Sequence, residues 1–445
     1  MIKISRILHA GYIFECGETK IAFDPLFENP FSRNCHAFPN VEFDQAQIRK
    51  QKFDAVFISH FHDDHCSFES LNLLNRTTPI YIYCPFPEMF VLLSQLGFSN
   101  LISLEIDKSV KIGEIEIIPR RALDADVDSI FHIKAADLNI LNVVDSWIDQ
   151  DTLQLIAKTA WDMVLWPFQT MREIEVIAPS RAAPAPEELP GEWVEQLKIL
   201  SPKYIVPSSC QFSLEKWSWY NHAFFPISYQ QFTTEVEKII PTTKVIRMNP
   251  SVSFLLSKDS LHLAPPISWI KTLGEQNVDY HYQPQLEPPP TSEISTYFAA
   301  LTSAETEKVY DYCHHALIDK FNSMEDPLDN YFSKPRFWKL SIFDHLGTPQ
   351  DFYYKLHKNQ IEISAVGSDK LSWSTEVPIS KLYAALELGE SLSSMYMRIN
   401  DIVFDPEIEL EISNADIVED PLIRCLFNGV FGAYQIAQLK RIQYG

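Results

Sequence analysis

The chain of 445 residues is expected to fold as an α/β protein in two parts. A layered α/β domain covers residues 1–262, a Pro-rich linker covers 263–290, and a smaller α+β domain covers 291–445. Three observations predict this. Short apolar runs alternate with helical periodicity through the first part, proline runs then interrupt the pattern, and a separate set of strand and helix patterns follows them.

The elements are predicted in order. Ile7 to Phe14 and Lys20 to Pro25 read as two short strands joined by a turn at Cys16-Gly17-Glu18. Ala55-Val56-Phe57-Ile58 is a continuous apolar run of buried-strand type. Ser67 to Asn75 reads as a helix, Pro79 to Tyr83 as a strand, Glu88 to Leu96 as a helix and Ile115 to Pro119 as a strand. Ser129 to Ala135 and Asn139 to Val144 form a hairpin through Ala136-Asp137-Leu138, whose antiparallel register sets Asp128 opposite Asp145. Asp162 to Pro167 is a strand, Trp193 to Leu200 a helix and Lys203 to Pro207 a strand. The long Pro- and Ala-rich connection from Ala178 to Pro190 is of the kind that carries function, so Gln169 and Arg172 beside it are candidate substrate contacts.

Ala264-Pro265-Pro266 and the proline run ending at Pro290 bracket the linker. Beyond it, Ser292 to Asp319 and Asp420 to Arg441 read as helical, and strands are expected at Trp338 to Phe343, Phe352 to Leu356, Ile361 to Val366 and Ser372 to Val377. His314 and His315 are adjacent on a helix and diverge by about 100°, so they are read as structural.

Composition narrows the function. A net charge of −22 gives no counterion-release or polybasic attraction, which argues against nucleic-acid and anionic-membrane partners. Hydrophobic residues at 46% with only 12 glycines describe a folded chain with compact cores. Seven scattered cysteines without a Cys-x-x-Cys pair read as reduced thiols in a cytoplasmic protein, Cys66 and Cys210 lying beside the site proposed below. The first residues read as a strand rather than a signal peptide, and no apolar run is long enough to span a bilayer.

The chemistry is concentrated in His60-Phe61-His62-Asp63-Asp64-His65, directly after the run Ala55 to Ile58. A strand leaving the core delivers such a cluster at its carboxyl end, where the chain turns and side chains can converge on one point. Neutral imidazole suits zinc, iron or manganese, and an interleaved carboxylate adds the hard oxygen a second ion favours. His60 and His62 are expected to face one ion, Asp64 and His65 its neighbour.

This six-residue pattern resembles the signature of the metallo-β-lactamase superfamily. The opening hairpin, Ile7 to Phe14 and Lys20 to Pro25, is similar to that of the branch containing lactonase-like, phospholipase-D-like and CMP-N-acetylneuraminate hydroxylase-like members. The resemblance implies a four-layered αββα sandwich with a dinuclear metal site at its rim. Val144-Asp145-Ser146 looks like the family's Gly-Asp-Thr, which makes Asp145 the bridging ligand. The family's third His has no counterpart between Arg121 and Asp128; Asp128 is the first choice to replace it, with Asp126 and Asp124 behind. The strand Lys203 to Pro207 ends in Ser-Ser-Cys where the family's last His is expected, leaving His222 as a late ligand, a substrate contact or a structural residue. Residues 291–445 look, at the level of pattern, like the sterol-carrier-type domains of the hydroxylase-like branch.

The expected metal ligands are therefore His60, His62, Asp64, His65, Asp128 and Asp145, with Asp64 and Asp145 catalytic and Gln169, Arg172 and His222 near substrate. Carboxylate-rich sets suit iron and manganese better than zinc and stabilise the oxidised states of an iron pair. The expectation is a di-iron oxygenase or oxidase acting on a small organic substrate, with dioxygen as co-substrate. The chain's one Cys-x-His, Cys313-His314-His315, has no Cys-x-x-His to complete a Rieske signature, so electrons are expected from an external donor; a homo-oligomer is a further expectation. Two alternatives stay open. One is a zinc hydrolase of an ester, lactone, amide or phosphodiester, with Asp63 or Asp145 handling the proton; the other is a degenerate site that only binds a ligand.

Overall fold

The computed structural model describes residues 1–168, 170–182, 184–283, 287–328, 330–364, 371–399, 419–427 and 431–444. Two sheets dominate it. The first has eight strands in the order Leu261–Ala264, Ser253–Leu256, Ile2–Arg6, Tyr12–Cys16, Thr19–Phe23, Ala55–Ile58, Ile80–Ile82 and Leu101–Ser103. The second has seven, from Lys244–Val245 through Tyr204–Ser208, Met163–Pro167, Leu138–Asn142, Ser129–Ala135 and Ile115–Arg121 to Val110–Ile112.

Alternation of side chains along each strand gives each sheet two faces. The facing sides interdigitate into one core: Phe14, Phe23 and Phe57 of the first sheet meet Ile117, Phe131, Ile140 and Leu165 of the second. Ring contacts of Phe131 with Phe23 and Phe57 at 5.0 and 6.3 Å lock that layer. The opposite faces bury Val56 and Ile58 against Phe68 and Met89, and Val164 and Trp166 against Trp193 and Phe232. Helices thus cover both outer faces, and the expected α/β sandwich is the fold.

The parallel strands Thr19–Phe23, Ala55–Ile58, Ile80–Ile82 and Met163–Pro167, Tyr204–Ser208 end on one rim, where their following loops gather. The hairpin register pairs Phe131 with Asn142, which extrapolates to Asp128 opposite Asp145 just past the last paired residues. Its two-residue turn places Ala136 and Asp137 at φ of 50° and 62°, the left-handed values that match the twist of a tight hairpin.

Several expected elements differ. The helix anticipated over Ser67 to Asn75 is a single turn, Phe68–Leu71, capped by the Ser67 hydroxyl. The helix anticipated over Ser292 to Asp319 is broken, because Thr302 and Glu305 form a capping box that starts a new helix at Ser303–Asp311. Segment 263–290 is not a free spacer over its described part. Ile270–Thr272 pairs with Val41–Phe43, and Tyr280 is buried in a stack with Phe38 and Phe225, because its aromatic and β-branched residues gain more by packing than its prolines gain by extension. Residues 284–286 of that segment lie outside the described residues.

After it, a mixed five-stranded sheet runs Gln360–Ile363, Pro349–His357, Arg336–Phe343, Trp373–Pro378, Arg398–Ile399. The helices Ile379–Leu388 and Ala433–Tyr444 pack between this sheet and the first domain. Among the described residues no helix is long and apolar enough to cross a membrane.

Candidate metal centre

Strand Ala55–Ile58 is wholly buried, and the chain turns sharply after it: the His65 and Cys66 N–H groups both donate to the His62 carbonyl, at 3.1 and 2.8 Å. That turn brings the His-rich motif over the rim. His60 Nε2 lies 2.9 Å from His62 Nδ1. His65 Nε2 lies 3.0 Å from Asp145 Oδ2 and 3.7 Å from Asp64 Oδ1. Asp128 reaches the same place, with Oδ1 at 3.7 Å from His60 Nδ1 and Oδ2 accepting from the Ser146 hydroxyl. All six expected ligands are therefore drawn to this rim, while Asp124 and Asp126 are exposed or nearly so.

A seventh group joins them that sequence reasoning passed over. His9 is 1% exposed; its Nε2 is 3.1 Å from Asp64 Oδ2 and 3.2 Å from His65 Nε2, and its Nδ1 accepts the Cys210 N–H at 3.1 Å. The ligand atoms of His9, Asp64, His65 and Asp145 all lie within 4.8 Å of one another. The signal was present, since His9 breaks an otherwise apolar strand run just before Gly11, but nothing local connects it to His65.

Behind the ligands sits a fourth carboxylate, also not anticipated. Asp24, fully buried, accepts from the Ser59 N–H and hydroxyl, each at 2.7 Å, and from His65 Nδ1 at 3.0 Å. Because the Ser59 hydroxyl donates to Asp24, its oxygen is left to accept from His60 Nδ1–H at 3.0 Å. One carboxylate thus sets the tautomer of two imidazoles and turns both Nε2 lone pairs toward the centre, the usual orientation of metal-ligating His.

Val144 immediately before Asp145 is held at φ of 63°, a conformation costly for a β-branched residue. A glycine stands here in the motif this segment resembles; Val keeps the same backbone, anchored by its N–H to Asn142 Oδ1 at 3.1 Å and by full burial.

Charge in the cluster is unevenly shared. Burial lowers the His60 pKa well below its ordinary value, aided by His65. Burial also disfavours charge on His65, but the carboxylates of Asp145 and Asp64 outweigh it and hold that imidazole well above the ordinary value. Asp145 and Asp64 resist burial through the same contacts and stay below the carboxylate range. Asp128 is pushed up to about 6 by burial and then by Asp145, and Asp63 to about 6 by burial and then by Asp64.

These residues fit metal ions. Among the described residues the buried oxygens Asp145 Oδ1 and Asp128 Oδ1 have no hydrogen-bond partner, although burial without one is costly. His60 Nε2, with its ring proton on Nδ1, faces His62 Nδ1 at 2.9 Å, and a cation would satisfy the lone pairs that this part of the cluster presents.

A cavity of about 520 Å³ opens onto the centre. Phe31, Phe61, Met171 and Phe212 line one side of it, and Leu392, Phe427 and Tyr434 from the later part of the chain line another. Glu390 closes this second wall, its buried carboxylate held by Arg33 and Lys381 at 3.2 and 3.4 Å.

Of the expected substrate contacts, Arg172 lies between the cavity-lining Met171 and Glu173, its N–H donating to the Phe224 carbonyl at 2.8 Å. His222 is not drawn to the cluster. The turn Tyr220–Ala223 buries Tyr220 and Ala223, so His222 is exposed and points its Nδ1 at the His281 carbonyl, 3.1 Å away. Gln169 lies outside the described residues.

Residues 3–208 match the family model of the beta-lactamase superfamily domain. Among characterised proteins the chain is similar to cytidine monophosphate-N-acetylneuraminic acid hydroxylase of Mus musculus, with 27% identity over 156 residues, covering 32% of this chain and 26% of the relative. The protein of the same name from Danio rerio is 27% identical over 155 residues, with the same coverage. The chain thus spans about a quarter of the length of these relatives. Among solved structures it is similar to Igni18, a metallo hydrolase of Ignicoccus hospitalis, at a TM-score of 0.40 and 21% identity over 57% of this chain and 99% of that one. It is also similar to CmlA, a diiron beta-hydroxylase of Streptomyces venezuelae, at a TM-score of 0.34 and 16% identity over 47% and 45%.

Proposed function

Because residues 3–208 form a beta-lactamase superfamily domain, we propose that the chain is a metal-dependent enzyme that holds two ions at this rim, iron in preference to zinc or manganese, and oxidises a small organic substrate with dioxygen. The observation that carries this reading is the donor set: three carboxylates, Asp64, Asp128 and Asp145, stand among the three imidazoles of His60, His62 and His65, and iron and manganese favour such mixed oxygen and nitrogen sites. The named activity of the curated relatives, a hydroxylation, supports the same reading.

His60, His62 and Asp128 would hold one ion and Asp64 and His65 the other, with Asp145 between them and His9 donating its Nε2–H to Asp64. Bound iron would supply the one-electron chemistry that reduction of dioxygen requires. The protein's own residues do the rest. Asp24 and Ser59 keep the protons of His65 and His60 on Nδ1. Phe31, Phe61, Met171, Phe212, Leu392 and Phe427 exclude water and receive an apolar part of the substrate in a volume suited to a small molecule. Asp63, on the cavity wall but outside the ligand set, is placed to hand a proton to or from it. Arg172 would reach substrate from beside Met171. Residues 291–445 act as an accessory domain that completes the pocket, and electrons come from a separate donor.

Hydrolysis is the second reading, because the imidazoles of His60, His62 and His65 also suit zinc. Elemental analysis of protein purified without added metal, with absorption spectra and oxygen uptake, separates the two. About two irons per chain with substrate-dependent oxygen consumption is the expected result. Two zincs and full activity without oxygen would replace oxidation by hydrolysis, and no bound metal would overturn both.

A further inference from the structure

The turn that carries His62, Asp64 and His65 is tied down by a side chain from the far end of the chain. Gln435, on the helix Ala433–Tyr444 and 3% exposed, donates from one carboxamide nitrogen to the Phe61 carbonyl at 2.8 Å and to the Cys66 carbonyl at 3.3 Å. These carbonyls flank the ligand turn on both sides, and the partners are 374 and 369 residues apart in sequence. One turn further along the helix, Gln438, fully buried, accepts the Phe68 N–H at 2.7 Å and donates to Ser67 Oγ at 3.2 Å. Ser67 in turn donates to Glu28 at 2.6 Å. Only at the exposed end of the helix does the contact become a surface ion pair, Arg441 with Glu69.

Turn carbonyls outside any strand ladder need a donor when buried, and losing it costs the full desolvation of the group. A carboxamide nitrogen carries two N–H groups, so a single Gln satisfies both carbonyls and fixes the distance between them. That distance sets how far His62 stands from His65. We infer that the helix Ala433–Tyr444 is a positioning element of the metal centre and that Gln435 is a positioning residue for its ligand turn. The inference rests on the metal-centre reading above.

The test uses full-length protein, stripped of metal and titrated with iron(II) or zinc against a chromophoric chelator, alongside amide exchange of the metal-free form. Gln435→Met keeps length and loses both N–H groups; it is expected to weaken metal binding by about 10- to 100-fold, the usual effect of removing an outer partner, and to speed exchange across residues 61–66. Gln435→Asn, which keeps the carboxamide on a shorter arm, gives a graded loss should the Met variant not fold. Arg441→Met is the control, with affinity unchanged. If Gln435→Met and Gln435→Asn bind metal as wild type does, with only the melting temperature lowered, the helix is a stabilising element and the inference fails alone. If wild type binds neither ion, the metal-centre reading and this inference fall together.

Discussion

Replacing Asp24 by Asn alters no metal ligand, yet it should disable two of them. Asp24 Oδ2 accepts from both Ser59 Oγ and His65 Nδ1, and Oδ1 accepts from the Ser59 N–H. If the Asn oxygen stays on the Ser59 N–H, its NH₂ faces His65 Nδ1, which must become an acceptor and shift its proton to Nε2. The Ser59 hydroxyl, now accepting from Asn, donates to His60 Nδ1 and shifts that tautomer too. If the amide turns over, two N–H donors confront each other at Ser59, which leaves a buried backbone group unpaired at about 1–3 kcal/mol. Either way metal affinity should fall by about 10- to 100-fold, or about 1.4–2.7 kcal/mol, toward the upper end because two imidazoles are affected. The assay is competition with a chelator on metal-free protein, with circular dichroism to show that the variant is folded. Ser59→Ala, which spares the Asp24–His65 bond, should lose less. Affinity for Asp24→Asn within a factor of two of wild type would falsify the tautomer mechanism.

Other outcomes are expected on the same reasoning. His9→Leu should cost about 1–3 kcal/mol in urea melts of the metal-free form because the Cys210 N–H loses its acceptor; an unchanged midpoint would show that this hydrogen bond contributes nothing. Val143 and Val144 are equally buried, but only Val144 has positive φ. Val144→Gly should therefore be less destabilising than Val143→Gly by about 1–2 kcal/mol in urea melts, and equal losses would show that position 144 is unstrained. The pKa of His132 is lowered from 6.5 to about 4, chiefly by burial, with its Nε2–H on Asn139. Below 6.5 the unfolded chain binds the proton and the folded one resists it, so stability should rise with pH between about 4 and 6.5, by at most about 3 kcal/mol. His132→Gln should flatten that rise, and an unchanged slope would assign it elsewhere.

Features that depend on near neighbours along the chain are legible in the residues alone. Ala55–Ile58 is apolar throughout and short, which favours a buried strand over a helix, and a strand leaving the core delivers the His and Asp residues after it together at a rim. The strand patterns on either side of Ala136 to Leu138 predict a hairpin that brings Asp128 and Asp145 to the same rim, and the two-residue turn Ala136-Asp137 of the structure then sets them level. His222 marks the limit of such reasoning. Proximity along the chain suggested a role, but the turn it occupies spends its buried positions on Tyr220 and Ala223.

What completes the centre comes from residues far apart in the chain. His9 meets His65 across 56 residues, Asp24 across 41, and Gln435 reaches the ligand turn across 374. Those separations carry no periodicity. They arise from the order in which strands pair, with Thr19–Phe23 lying beside Ala55–Ile58, and from a helix near the chain's end docking on the turn Phe68–Leu71. Strand order and helix docking are settled by burial summed over the whole core, a non-directional quantity to which no single short segment holds the key.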